Sequence, residues 1–168
     1  MTGIRTEEAS DRAAVYAVNA SAFETEAEAK LVDALREQAD PLISLVAVDG
    51  DTVVGHILFS PVTHSVNPEL RLMGLAPMAV APDHQRQGIG SALVRAGLER
   101  CRNLGSDAVV VLGHPDYYPR FGFVLSTRFG IRSEYDVPDD VFMVIEFKPG
   151  ALRNAPGVVR YHPAFAAR

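Results

Sequence analysis

The chain has 168 residues, 48% of them hydrophobic and 22% charged, with a formal net charge of −5. A chain of that size can bury a core without staples, so one domain spanning 1–168 is expected. The acidic balance argues against a nucleic-acid binder that works by neutralising phosphates, the lone Cys101 excludes an internal disulfide, and no run reaches the ~18–20 apolar residues of a membrane span.

The elements follow in chain order. Ile4 to Thr6 reads as a short first strand, and Ser10 as the N-cap of a helix running toward Phe23. Ala27, Leu31 and Leu35 share one face of a second helix. Leu42 to Val48 and Thr52 to Ser60 are β-rich runs joined by Asp49-Gly50-Asp51, a hairpin signal. Asn67-Pro68 turns the chain into a strand from Leu70 to Val80, in which Pro77 marks either a bulge at Ala76-Pro77 or a sheet edge. A helix from Gly88 to Leu104 carries Ile89, Leu93, Gly97, Cys101 and Leu104 as its inner stripe and stops at Gly105. Ala108 to Leu112 reads as a strand buried on both faces, Tyr117 to Phe121 as a short helix, and Val141 to Phe147 as a later strand. Phe129 to Ile131 and Gly157 to Tyr161 are weaker strand candidates. The order describes a mixed α/β sheet with helices on both faces.

The segment from Val80 to Leu93 carries the chemistry. A strand, a polar turn and two glycines lead into a helix whose unsatisfied N–H groups and positive dipole end suit an anion. Gly88-x-Gly90 alone also serves an ordinary tight turn; the spacing Gln85-x-x-Gly88-x-Gly90, five residues after a strand valine, is more specific. A dinucleotide fingerprint would need glycine at Leu93, and a P-loop would need Gly-Lys-Ser or Gly-Lys-Thr, whereas the only lysines are Lys30 and Lys148.

The loop resembles the coenzyme A pyrophosphate loop of the GNAT acetyltransferase superfamily. Tyr117-Tyr118-Pro119-Arg120-Phe121-Gly122-Phe123 is similar to the family's tyrosine-bearing segment, and Val54-Gly55-His56-Ile57 with Val159 to Pro163 resembles a YhbS-like branch of predicted bacterial acetyltransferases. The resemblance implies a GNAT-like fold: a mixed, mostly antiparallel sheet splayed at its centre. It also implies acetyl-CoA as cosubstrate, held by Met78, Ala79 and Val80 of the strand, by Gln85, Arg86, Gln87, Gly88, Ile89, Gly90 and Ser91 of the loop, and by Tyr118. The Met78 N–H would face the thioester carbonyl and Tyr118 would be the acid, with Tyr117 a packing residue. Without the family, Tyr117 and Tyr118 would read as core aromatics.

Many relatives place a carboxylate base six residues before the loop valine, and that position is Gly74 here. Glu24, His56, His114 and Asp116 are the alternatives, and each also reads as a solvated or satisfied side chain. A water relay or free-amine binding would need no base. Cys101 on the inner stripe reads as a buried thiol. The five histidines lack ligand spacing, so no metal is expected. The N-terminus lacks a signal peptide's apolar stretch, which makes the cytoplasm the expected location. The expected function is acetyl transfer to a primary amine, without nucleic-acid or membrane partners. The alternative is a non-catalytic acyl-CoA-binding sensor or recruiting module. The tail, residues 150–168, is expected to pack on the body or at a homodimer contact.

Overall fold

Nine strands and three α-helices are found in residues 2–167, the part of the chain that the computed structural model describes. β1 (Thr2–Thr6) leads into α1 (Arg12–Ala22) and α2 (Ala27–Gln38). The hairpin of β2 (Ile43–Asp49) and β3 (Thr52–His64) follows, then β4 (Leu72–Val80), α3 (Ile89–Leu104) and β5 (Ala108–Leu112). β6 (Val124–Leu125), β7 (Ile131–Ser133), β8 (Phe142–Glu146) and β9 (Gly157–Arg160) complete the order. The sheet runs β1-β2-β3-β4-β5-β8-β6, with β4 and β5 parallel and its other described pairs antiparallel. β9 joins the end of β3 through Thr63 and His64, and β7 lies parallel beside it.

The period-two alternation of β3 divides the core. Leu58 and Val62 face α1 and α2, in a cluster with Val15, Leu31 and Leu35. Ile57 and Phe59 face α3, in a cluster with Ile89, Leu93 and Cys101. Gly97 lets α3 come close to the sheet, since a Cβ there would stand 2.1 Å from Phe59 Cε1.

Two irregularities in β4 open the sheet. Its register against β3 jumps from Ile57↔Met78 to Phe59↔Leu75, leaving Ala76 and Pro77 opposite Leu58. This is a bulge, at a residue that has no N–H to give a ladder. On its other edge β4 pairs with β5 only from Leu72 to Gly74, so the strands part before Met78 is reached.

Four local expectations need correction. Ser10 lies within a 3-10 turn, Ala9–Asp11, and it is the Asp11 carboxylate that accepts the Glu8 N–H at 2.7 Å while pairing with Arg5. The short helix expected from Tyr117 starts one residue later, as the 3-10 helix Tyr118–Phe121 with Tyr117 as its N-cap, and is cut short by Gly122 at φ +103°. Leu104 is 46% exposed, because the last turn of α3 has passed beyond the sheet. The strand expected from Leu70 begins at Leu72, after a turn closed by Leu70 N–H donating to the Asn67 carbonyl.

A buried polar chain fixes α1 and α2 to the sheet. The Asn19 amide donates to the Val15 carbonyl at 3.0 Å and to His56 Nδ1 at 3.1 Å. With Nδ1 accepting, Nε2 carries the proton and donates to Ser44 Oγ at 2.9 Å. Ser44 donates in turn to Glu7, which is paired with Arg36 at 2.6 Å. Burial first, and then the Arg36 charge, push the His56 imidazole down to about 3 from an ordinary 6.5.

The unfolded chain therefore binds a proton at His56 that the folded chain refuses. The stability tied to this refusal is complete above about pH 6.5 and is lost as pH falls toward about 3. Denaturant midpoints measured between pH 7.5 and 5 should fall, with this group contributing up to ~1.4 kcal/mol per pH unit. A folded His56→Gln chain should lose that part of the slope.

Candidate active site

The loop between β4 and α3 is pinned at both ends. Ala81 N–H donates to the Val54 carbonyl at 2.8 Å, and the Gln85 side-chain amide donates to the Val80 carbonyl at 3.0 Å. His84 Nε2 lies 3.3 Å from Asp49 Oδ2 of the β2–β3 hairpin. Between these anchors Arg86 and Gly88 take the left-handed region, at φ +63° and +83°. Residues 85–88 are exposed, whereas Ile89 turns into the core. Gly88 is the N-cap of the 16-residue α3, whose first N–H groups are therefore presented at the loop. A Cβ on Gly88 would meet nothing within 4 Å, so the surface in front of the helix end is open.

The parting of β4 and β5 leaves one edge of Met78, Ala79 and Val80 without a strand partner, and this edge leads straight to the loop. Tyr118 stands at the other side, just beyond β5. Its ring lies against Gly113, where a Cβ would be 2.2 Å from Cε2, and meets Phe123 edge-on at 5.6 Å. Only 8% of Tyr118 is exposed, and burial, reinforced by Tyr117, pushes its phenol up to about 12. It therefore keeps its proton throughout the neutral range. Tyr117 is half-buried beside it, with its hydroxyl 3.0 Å from Ser91 Oγ in the first turn of α3.

The alternative base residues are scattered. Glu24 is exposed after α1, His114 and Asp116 are exposed after β5, and His56 is enclosed in the polar chain under α1. Gly74 is the last β4 residue paired with β5. A Cβ there would lie 2.9 Å from Val62 Cγ1 and 3.0 Å from Tyr161 Cε2. Tyr161 comes from the chain beyond β9, its N–H donating to Glu134 and its ring beside Tyr135 and Phe165 at 5.8 and 5.2 Å. The tail thus packs on the body, with the Tyr161 ring against Gly74. Sequence reasoning missed Gly113 and Tyr161 as parts of this neighbourhood. Cys101 is fully buried and burial pushes its thiol up to about 12. Among the described residues no group of three or more acidic, His or Cys side chains could hold a metal ion, and no helix is long and apolar enough to cross a membrane.

Comparison with known proteins adds to the geometry. Residues 12–123 match the acetyltransferase (GNAT) family model. The chain is 37% identical to the N-acetyltransferase YhbS of Escherichia coli over 163 residues, 96% of this chain and 97% of that protein. It is 40% identical to the E. coli N-acetyltransferase YjhQ over 135 residues, 78% of this chain and 75% of that one. The crystal structure of E. coli YhbS in complex with CoA superposes with a TM-score of 0.92 at 36% identity, covering 98% of this chain and 92% of that one. A GNAT family acetyltransferase from Brucella melitensis in complex with acetyl-CoA gives 0.81 at 34% identity, with 98% of both chains covered.

Gly113→Ala should force the Tyr118 ring aside and lower unfolding free energy by ~1–3 kcal/mol, the usual penalty of overpacking. Gly3→Ala, where a Cβ meets nothing within 4 Å, is the control and should leave the denaturant midpoint unchanged. Cys101 should resist dithionitrobenzoate at pH 8 in the folded protein and react at once in denaturant.

Proposed function

The chain belongs to the acetyltransferase (GNAT) family, and we propose that it transfers an acetyl group directly from acetyl-CoA to a primary amine. The observation that carries this reading is the early end of the β4–β5 ladder. It leaves the edge of Met78–Val80 that faces away from β3 unpaired, and that edge runs to the exposed N-terminus of α3. The residues fit the coenzyme: left-handed Arg86 and Gly88 and the side-chain-free Gly90 leave room for phosphate oxygens against residues 86–91. The backbone of Val80, on the edge facing away from β3, would contact pantetheine in the manner of an added strand.

Acetyl-CoA supplies an activated thioester; the chain's own residues supply placement and charge. The Met78 N–H is the donor available to the carbonyl oxygen as negative charge grows there. Tyr118, protonated because burial raises its phenol, gives a proton or a hydrogen bond to the departing sulfur. Holding amine and thioester together supplies much of the remaining rate. Gly74 offers no strand carboxylate, which favours an amine that binds as the free base or gives its proton to water. Cys101 lies in the core behind α3 with its thiol held protonated, which supports transfer without an acetyl-enzyme. We assign the soluble, cytoplasmic role expected of such an enzyme to the same reading.

Coenzyme A release, followed with a thiol reagent over a panel of primary amines, tests the proposal. Activity with at least one amine and intersecting initial-rate lines are expected. Calorimetric binding of acetyl-CoA with no release for any amine would instead leave a non-catalytic coenzyme-binding module. Tyr118→Phe should lower kcat by roughly 10²-fold or more while changing the acetyl-CoA Kd less than about twofold. Wild-type turnover should rise with pH as the amine loses its proton, and show no fall from Tyr118 below about pH 11, given a phenol pushed up to about 12.

A further inference from the structure

Tyr117 has no part in the reaction just described, yet its hydroxyl is aimed at the coenzyme end of the site. It lies 3.0 Å from Ser91 Oγ and 3.4 Å from the point where a Cβ on Gly90 would stand; Met78 Cε is 3.6 Å from that same point. The phenol tip therefore reaches the place where the end of β4 meets the first turn of α3. The ring is held from several sides. The Arg120 guanidinium sits 4.5 Å over its face and donates to the Tyr117 carbonyl at 2.8 Å, while Tyr118 and Phe121 meet it edge-on at 5.0 and 5.2 Å.

Two hydroxyls in mutual contact use one proton between them. Whichever oxygen accepts keeps its own O–H for a third group. Among the described residues neither Tyr117 Oη nor Ser91 Oγ has another hydrogen-bond partner. The N-terminal N–H groups of α3 lie beside this spare donor, and the Arg120 cation is stacked on the ring that carries it, so the group it suits is an anion. A Cβ at Gly90 would rest in ordinary contact with the phenol oxygen, and a longer side chain there would compete with an incoming oxygen for that space.

We propose that Tyr117 and Ser91 form a hydroxyl pair whose spare proton binds a phosphate oxygen of the coenzyme A pyrophosphate, making Tyr117 a binding residue rather than packing alone. This rests on the reading that coenzyme A lies against residues 86–91. The pair also joins α3 to the 3-10 turn that carries Tyr118, so the group that holds the phosphate is bonded to the element that places the acid. Tyr117 acts on the chemistry only through that turn, as a positioning residue.

The test uses the full chain and coenzyme A itself. Calorimetry with wild type, Tyr117→Phe, Ser91→Ala and the double variant should show Kd raised about tenfold or more in each single variant, as for a lost hydrogen bond to a charged group. The double variant should lose more than either single one, since a hydroxyl left alone still has a proton to give but no partner to aim it. Phosphorus NMR of saturated complexes provides a readout that a purely structural tie would not move. The pyrophosphate resonances should shift in Tyr117→Phe, and the ribose 3′-phosphate resonance should not. Folded variants with unchanged Kd and unchanged pyrophosphate resonances would overturn the inference and leave the coenzyme reading intact. Wild type that fails to bind coenzyme A would overturn both. Phenylalanine keeps the ring and its packing, and Ser91→Ala attacks the pair from the other element, so loss of fold in one variant still leaves the other to decide.

Discussion

A sheet that stops pairing in its own interior is the constraint on which this molecule is built. Leu72, Met73 and Gly74 are bonded on both sides, to β3 and to β5, and the residues that follow keep only β3. Backbone groups released in this way must find water or a ligand, so an interior gap persists only where the two halves are held apart from outside. Here α3 spans one face, with Ile89 and Leu93 near the loop and Cys101 further along. The other face is covered by α1, α2 and the tail, through Val15, Leu31, Tyr161 and Phe165. The bulge at Ala76-Pro77 sits where the ladder has just ended, which sets the change of direction in the strand beside the gap rather than in the cover.

Much of this was legible in the sequence because it is locally encoded. The loop spacing, the inner stripe of α3 as far as Cys101 and the glycine at its end are short-range patterns, and each appears where it was expected, with Gly88 opening the helix and Gly105 as its left-handed stop. The hairpin at Gly50 and the bulge at Pro77 belong to the same class. What was illegible depends on contacts distant in sequence. Nothing near Gly74 announces that Tyr161 will cover it, and nothing near Gly113 says that a tyrosine ring will lie on it. Ser10 failed for a related reason: Arg5 draws the Asp11 carboxylate into the turn ahead of α1, so a neighbouring acid does what the serine was expected to do. The short helix at Tyr118–Phe121 takes the 3-10 form because too few positions remain before Gly122 to close an α-helical turn.

The net charge of −5 is a poor guide to the site. The loop and its surroundings expose Arg86, Arg95 and Arg120, and two of these cations lie over aromatic rings, Arg95 on Phe121 and Arg120 on Tyr117. An acidic protein can thus present a locally positive entrance, because field at short range follows the nearest charges and helix ends rather than the total. Within the core the polar chain from Asn19 to Arg36 does the opposite work, keeping a histidine neutral in the middle of apolar packing.

The covering of Gly74 by Tyr161 divides the molecule's responsibilities along its chain. Everything assigned to coenzyme handling lies between Met78 and Tyr118, a contiguous stretch, whereas the wall on the opposite side of the gap's closed end arrives with the final strand β9 and the turn after it. A change in the residues after β9 would therefore alter that wall and leave the stretch from Met78 to Tyr118 as it is.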